Sequence, residues 1–247
     1  MTHLIFLHGL GGGHHAWDRQ LEHFSALGYA SHAWDQPGYG HTASVEPYDF
    51  EQISAALKRL IDSLTGDPVI LVGHSMGGFV AQEAYARFPQ SIKALVLGFT
   101  SPSFGGGSAD FVKQFVSARV GPLDEGKTMT DLAARLMPAM HGRISDAEGL
   151  AHAEAIMSSI PPETYRKAVQ LLTTFDRRAN LGAISVPTLL VAGSDDKTAP
   201  PPVMERMAKE IHGAEFVVLR GCGHLGPMDQ PREFNAVLES FLRRRKL

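Results

Sequence analysis

Two hydrophobic patterns alternate along the chain. Short apolar runs stopped by glycine, proline or polar residues occur at His3–His8, 29–34, Pro68–His74, Ile92–Gly98, Pro187–Ala192 and Glu215–Leu219. Runs of this length, rich in β-branched residues, predict buried strands. Between them the apolar residues recur at helical spacing. Residues 14–26 carry Trp17, Leu21 and Phe24, and 48–64 carry Phe50, Ile53, Leu57, Leu60, Ile61 and Leu64 on one face. Further helices are predicted from Met76 to about Phe88, over 202–211 and over 231–243, and Gly66-Asp67-Pro68 is expected to stop the second. Strand–helix alternation at this spacing predicts an α/β chain with a parallel sheet and helices on both faces. Ligands of such sheets bind beyond the carboxyl ends of the strands.

The alternation breaks in the middle. Residues 101–180 show no good strand, and Pro102–Ser108 reads as a flexible connector. Helical segments follow near 109–119, 128–140, 146–159 and 163–175. The expected organisation is a core domain of 1–100 and 183–247, with a helical cap at 101–182 inserted between strands.

Composition changes little in this picture. The chain has 247 residues, 44% apolar and 20% charged, with a net charge of −3. That balance offers no electrostatic case for nucleic acid or an anionic membrane surface. Arg243-Arg244-Arg245-Lys246 ends a predicted helix, where it complements the helix dipole. One cysteine excludes an internal disulfide framework. No leader pattern and no bilayer-length apolar stretch is seen, so a cytoplasmic location is expected.

Chemistry concentrates at the predicted strand ends. Gly73-His74-Ser75-Met76-Gly77 follows a strand and precedes a helix, the sequence form of a nucleophile elbow with Ser75 at its tip. A serine hydroxyl is a weak nucleophile and needs a base, an acid to orient that base, and donors for the developing oxyanion. His224, on the glycine-rich loop after the last strand, is the base candidate; most of the other histidines among the twelve are expected to be exposed. The acid follows the preceding strand, where Asp195 and Asp196 compete and one of them suits a helix cap. The oxyanion donors are the backbone N–H groups of Met76, after the nucleophile, and of Leu10, in the glycine loop after the first strand.

These motifs together resemble the α/β-hydrolase superfamily: His8-Gly9-Leu10-Gly11-Gly12, Asp35-Gln36-Pro37-Gly38-Tyr39-Gly40, Gly73–Gly78, Gly193-Ser194-Asp195-Asp196 with Pro200, and Gly223-His224. The resemblance implies the chain order Ser75, Asp196, His224, and its glycine–aspartate–proline spacing selects Asp196 over Asp195. Within the superfamily the chain is most similar to small carboxylesterases and 3-oxoadipate enol-lactonase-like hydrolases; Thr173–Arg178 before Val186-Pro187-Thr188 resembles the segment where the lactonase cap rejoins the core. Two departures stand out. The family usually opens with a β-hairpin before the His-Gly strand; here that strand begins at residue 3, so about six strands, all parallel, are expected. His41-Thr42 replaces the serine that usually follows Gly40, which leaves the bonding of that loop open.

The cap supplies Phe104, Phe111, Phe115, Met129, Leu132, Leu136, Met137, Met140, Ile156 and Met157, as pocket lining or as its own core. Arg119, Arg135, Arg143 and Arg166 suit either a substrate carboxylate or a solvated helix face. His14 and His15, adjacent on a helix, point apart and do not suggest a metal pair. The expected protein is a cofactor-independent serine hydrolase of small or medium carboxylic esters or lactones, acting through an acyl-enzyme. A C–C bond hydrolase of vinylogous diketone acids, a thioesterase on the same triad, and a non-catalytic ligand receptor are the alternatives.

Overall fold

The computed structural model describes residues 2–64, 68–105 and 108–247, so the Gly66-Asp67 helix stop and Gly106-Gly107 of the connector lie outside the described residues. Six strands form: β1 (His3–Leu7), β2 (Ala30–Trp34), β3 (Val69–His74), β4 (Ile92–Gly98), β5 (Thr188–Gly193) and β6 (Glu215–Leu219). All pair in parallel, in the order β2-β1-β3-β4-β5-β6. β1, β3 and β5 are buried at every position. Continuous apolar runs are what strands covered on both faces require.

The order reverses once. The chain runs from β1 outward to β2, then returns to place β3 on the other side of β1. Connections leaving the carboxyl ends of β1 and β3 therefore diverge, and a crevice opens where they part. The glycine loop and Ser75 both stand there.

The helices follow from their apolar faces and caps. A 3₁₀ turn (His14–Trp17) leads into α1 (Asp18–Ala26). α2 (Phe50–Ser63) starts at Asp49, whose carboxylate accepts the Gln52 N–H at 2.8 Å, and it buries Phe50, Ile53, Leu57 and Ile61. α3 (Met76–Arg87) is buried on all sides from Met76 to Tyr85, so the helix carrying Ser75 at its head is fixed in the core.

Four helices separate β4 from β5: α4 (Ala109–Asp124), α5 (Met129–Leu136), α6 (Ala147–Ser158) and α7 (Pro162–Leu172). Two boundaries differ most from the sequence expectation. α4 runs five residues past 119, with Pro122 inside it. Proline lacks the N–H that would reach the carbonyl four residues back. That carbonyl belongs to Ala118, and the Arg135 guanidinium donates to it instead. The expected 128–140 helix divides at Leu136, and Met137–Met140, with Pro138 in its first turn, tightens into a 3₁₀ turn.

The two ends of the helical segment are tied to each other and to α3. Ser103 and Asp176 form an antiparallel bridge, and the Arg177 N–H donates to Pro102 O at 2.8 Å. The Arg177 guanidinium forks onto Glu83 of α3, with both bonds at 2.6 Å. The Glu83 side chain is only 3% exposed, and Arg87 donates to it as well at 2.6 Å. Past β5 come α8 (Pro201–Glu210), β6, α9 (Gly226–Asp229) and α10 (Pro231–Arg245). The short α9 has no counterpart in the sequence reading, because four residues cannot show a helical period. No helix among the described residues is long and apolar enough to cross a membrane.

Candidate active site

Ser75 occupies a backbone conformation rare for any residue with a side chain, φ 53° and ψ −117°. The neighbouring glycines make that turn possible. A Cβ on Gly77 would lie 2.0 Å from Leu7 O, and one on Gly73 would lie 2.4 Å from Gly77 O. No side chain fits either contact, so strand and helix close on each other only through glycine. The turn is held from outside as well. Ser75 N donates to Gly98 O at 3.0 Å, and the Thr100 hydroxyl donates to Ser75 O at 2.8 Å.

The Ser75 Oγ lies 3.0 Å from His224 Nε2, and His224 Nδ1 lies 2.8 Å from Asp196 Oδ2. One tautomer satisfies both contacts: Nδ1–H donates to the carboxylate, and Nε2 accepts from the hydroxyl. The other Asp196 oxygen accepts the Thr198 and Ala199 N–H groups at 2.7 and 3.0 Å. Burial pushes the Asp196 carboxyl up, but the His224 charge and hydrogen bond and the two backbone donors outweigh it, and the pKa falls below the ordinary carboxylate value. Asp195 faces elsewhere. It accepts from the Arg143 N–H at 3.0 Å and from the Ser194 hydroxyl at 2.8 Å.

The His224 loop is clasped by the chain after Met140. His224 N donates to Met140 O at 2.7 Å, and Ile144 N donates to Gly221 O at 2.9 Å. Gln230 donates to both Ile144 O and Arg220 O, at 3.0 and 3.1 Å. The contacts are close enough that a Cβ on Gly142 would lie 2.0 Å from Gly221 O.

Leu10 lines the crevice, and Met76, directly after Ser75, is the buried first residue of α3. The amide that carries the Leu10 N–H is fixed by its own carbonyl. Gly9 O accepts from His8 Nδ1–H at 2.8 Å and from Gly12 N–H at 3.0 Å. In a trans peptide the N–H points opposite the C=O, so anchoring Gly9 O aims Leu10 N–H the other way. His8 Nε2 accepts the Gln36 N–H at 3.1 Å, and the Gln36 side chain donates to His8 O at 2.7 Å. The Asp35–Gly40 loop is thus a brace for the glycine loop. It closes on its own backbone through Gly38 N to Thr42 O and Thr42 N to Tyr39 O, without help from a serine side chain at position 41.

The expectation that most histidines are exposed is wrong at His3, His8 and His74, which are 8%, 0% and 6% exposed. Burial lowers the His8 pKa to about 4 and the His74 pKa to about 3. His74 is also depressed by the nearby His224, and as a neutral ring it donates Nε2–H to His224 O at 2.7 Å. The sequence reading missed the burial of His8 and His74; the one signal for it is that both sit inside glycine motifs at strand ends. The expectation that His14 and His15 point apart is wrong: their ring centroids lie 3.9 Å apart, while His14 pairs with Asp35 at 2.6 Å and His15 with Asp18 at 3.1 Å. Cys222 is fully buried, and burial pushes its thiol pKa up, which keeps it protonated and poorly nucleophilic.

Above Ser75 lies a cleft open to solvent. Its floor is Gly9–Gly12, His74, Ser75 and His224, and its walls include Phe104, Phe111, Phe115, Leu136, Met137, Met140 and Met157. Met129, Leu132 and Ile156 are instead buried within the helical segment.

The family model for the alpha/beta hydrolase family matches residues 4–237. The chain belongs to that family. The pimeloyl-[acyl-carrier protein] methyl ester esterase of Neisseria meningitidis is 27% identical over 97% of this chain and 76% of its own length. The enol-lactonase of Burkholderia xenovorans has a similar structure, with a TM-score of 0.82 and 25% identity, over 98% of this chain and 91% of that one. An esterase from Exiguobacterium antarcticum shares the fold, with a TM-score of 0.88 at 20% identity over 98% and 92% of the two chains.

Proposed function

We propose that the protein is a serine hydrolase of small or medium carboxylic esters or lactones, with Ser75 as nucleophile, His224 as general base and Asp196 as the acid that orients it. The carrying observation is the unbroken run of contacts from Ser75 Oγ to His224 Nε2 at 3.0 Å and from His224 Nδ1 to Asp196 at 2.8 Å. The esterase and enol-lactonase named among the similar proteins support the substrate class.

In this reading His224 takes the Ser75 proton as Oγ attacks the carbonyl carbon, and Asp196 stabilises the imidazolium that forms. The Leu10 and Met76 N–H groups hold the oxyanion. Collapse expels the alcohol, which takes the proton from His224 and leaves an acyl-serine. Water, deprotonated by the same imidazole, releases the acid. In a lactone the alcohol stays joined to the acyl group, and one hydroxy acid leaves. Residues 101–182 act as a cap that walls the cleft and selects the substrate.

Rapid-mixing assays with p-nitrophenyl acyl esters test the reading. A burst of nitrophenol approaching one equivalent, followed by slower steady turnover, is expected where deacylation limits. Across a series of acyl chains, turnover that survives unchanged in Ser75→Ala would overturn it.

A further inference from the structure

The four arginines that the sequence singles out in the cap divide by what holds them. Arg166 pairs with Asp124 and Glu163, Arg143 with Asp195, and Arg135 donates to Ala118 O. Arg119 has no carboxylate within ion-pair distance among the described residues. Its Nε is buried and makes no hydrogen bond, and its guanidinium lies over the Phe115 ring at 3.6 Å. Arg119 lines the same cleft as Ser75, with Tyr165 and Leu136 in the wall beside it. Arg135 is close enough to add repulsion to the Arg119 charge.

A guanidinium partly withdrawn from water, facing an apolar cleft without an anion, is costly unless something charged arrives. The phenylalanine face recovers part of that cost, because its π-cloud attracts the cation. The Tyr165 hydroxyl takes a hydrogen bond from the guanidinium, and the donors that remain match a carboxylate. Resting on the serine hydrolase reading above, we infer that Arg119 is the specificity-determining residue of the cleft and that the substrate is an ester or lactone carrying a free carboxylate away from the scissile bond. The carboxylate meets Arg119 while the carbonyl lies over Ser75, and the apolar walls hold the chain between.

The test compares p-nitrophenyl monoesters of succinate, glutarate and adipate with p-nitrophenyl esters of the matching uncharged monocarboxylic acids. A second arm uses acetyl esters of ω-hydroxy acids, which put the carboxylate on the leaving group. In the unmodified protein at least one carboxylate-bearing ester is expected to exceed its uncharged match in kcat/KM by about tenfold or more. In Arg119→Met that ratio is expected to fall by about ten- to a hundredfold, mainly through KM. Arg119→Lys is expected to retain part of it. The arm that shows the effect tells which side of the bond carries the charge. Uncharged esters preferred in both arms, or a ratio unmoved by Arg119→Met, would overturn the inference while leaving the hydrolase intact. No hydrolysis in either arm would overturn the hydrolase reading itself. If Arg119→Met does not fold, binding of glutarate and of butyrate to Ser75→Ala decides by calorimetry: glutarate must bind measurably more tightly, and equal binding rejects the carboxylate site.

Discussion

At Ser75 the backbone sits at φ 53°, and the strain is held by contacts that only glycine permits. The chemistry expected there depends on one imidazole in one tautomer. The carboxylate that holds it is Asp196 and not Asp195, whose bonds go to Arg143 and Ser194. Asp196→Asn is therefore expected to lower kcat by about 10³- to 10⁴-fold, because an amide favours the wrong tautomer. Asp195→Asn should change kcat less than about threefold; steady-state kinetics of the two variants side by side check this. His74 and His8 give a separate prediction. Their folded pKa values, about 3 and about 4, lie below the unfolded value of 6.5. The stability they contribute is present above 6.5 and is lost as pH falls toward 4, where only the unfolded chain takes up the protons. Each group adds a slope of up to about 1.4 kcal/mol per pH unit in that window. Urea unfolding between pH 7 and 4.5 should show a shallower slope in His74→Asn than in the unmodified protein, and equal slopes would refute the assignment.

Among the elements, strands were the most legible. Ile92–Gly98 and Glu215–Leu219 coincide with β4 and β6, since short apolar runs between breakers have few other homes. Contact among the three site residues was legible too, because a parallel sheet brings its carboxyl-end loops to one edge. The inserted helices were less so. Pro122 made α4 look finished near 119, and only the distant Arg135 shows why the helix continues. Arg119 could not be told from Arg143 or Arg166 by sequence, since pairing is decided by folded distances. The seam at Glu83 carries its own prediction. Arg177→Met leaves a buried carboxylate with Arg87 as its remaining partner and is expected to cost about 2–3 kcal/mol. Thermal unfolding checks it, and a melting temperature within a degree of the unmodified protein would contradict it.

For the whole molecule, the arrangement separates two tasks. In the proposed reading the sheet sets the reaction: Ser75, His224 and the Leu10 amide come from loops after β3, β6 and β1, and hydrogen bonds brace each of them. In the same reading the helical segment sets the substrate, through an apolar cleft with one guanidinium in its wall. The clasp between the chain after Met140 and the His224 loop joins the two, so repacking the segment is expected to disturb kcat as well as KM. The account stands first on Ser75 as the nucleophile. Fluorophosphonate treatment followed by peptide mass spectrometry tests that most directly. One covalent adduct is predicted, on the peptide containing Ser75, abolished in Ser75→Ala and slowed at least a hundredfold in His224→Ala. No adduct on the active preparation, or an adduct that persists in Ser75→Ala, would contradict it.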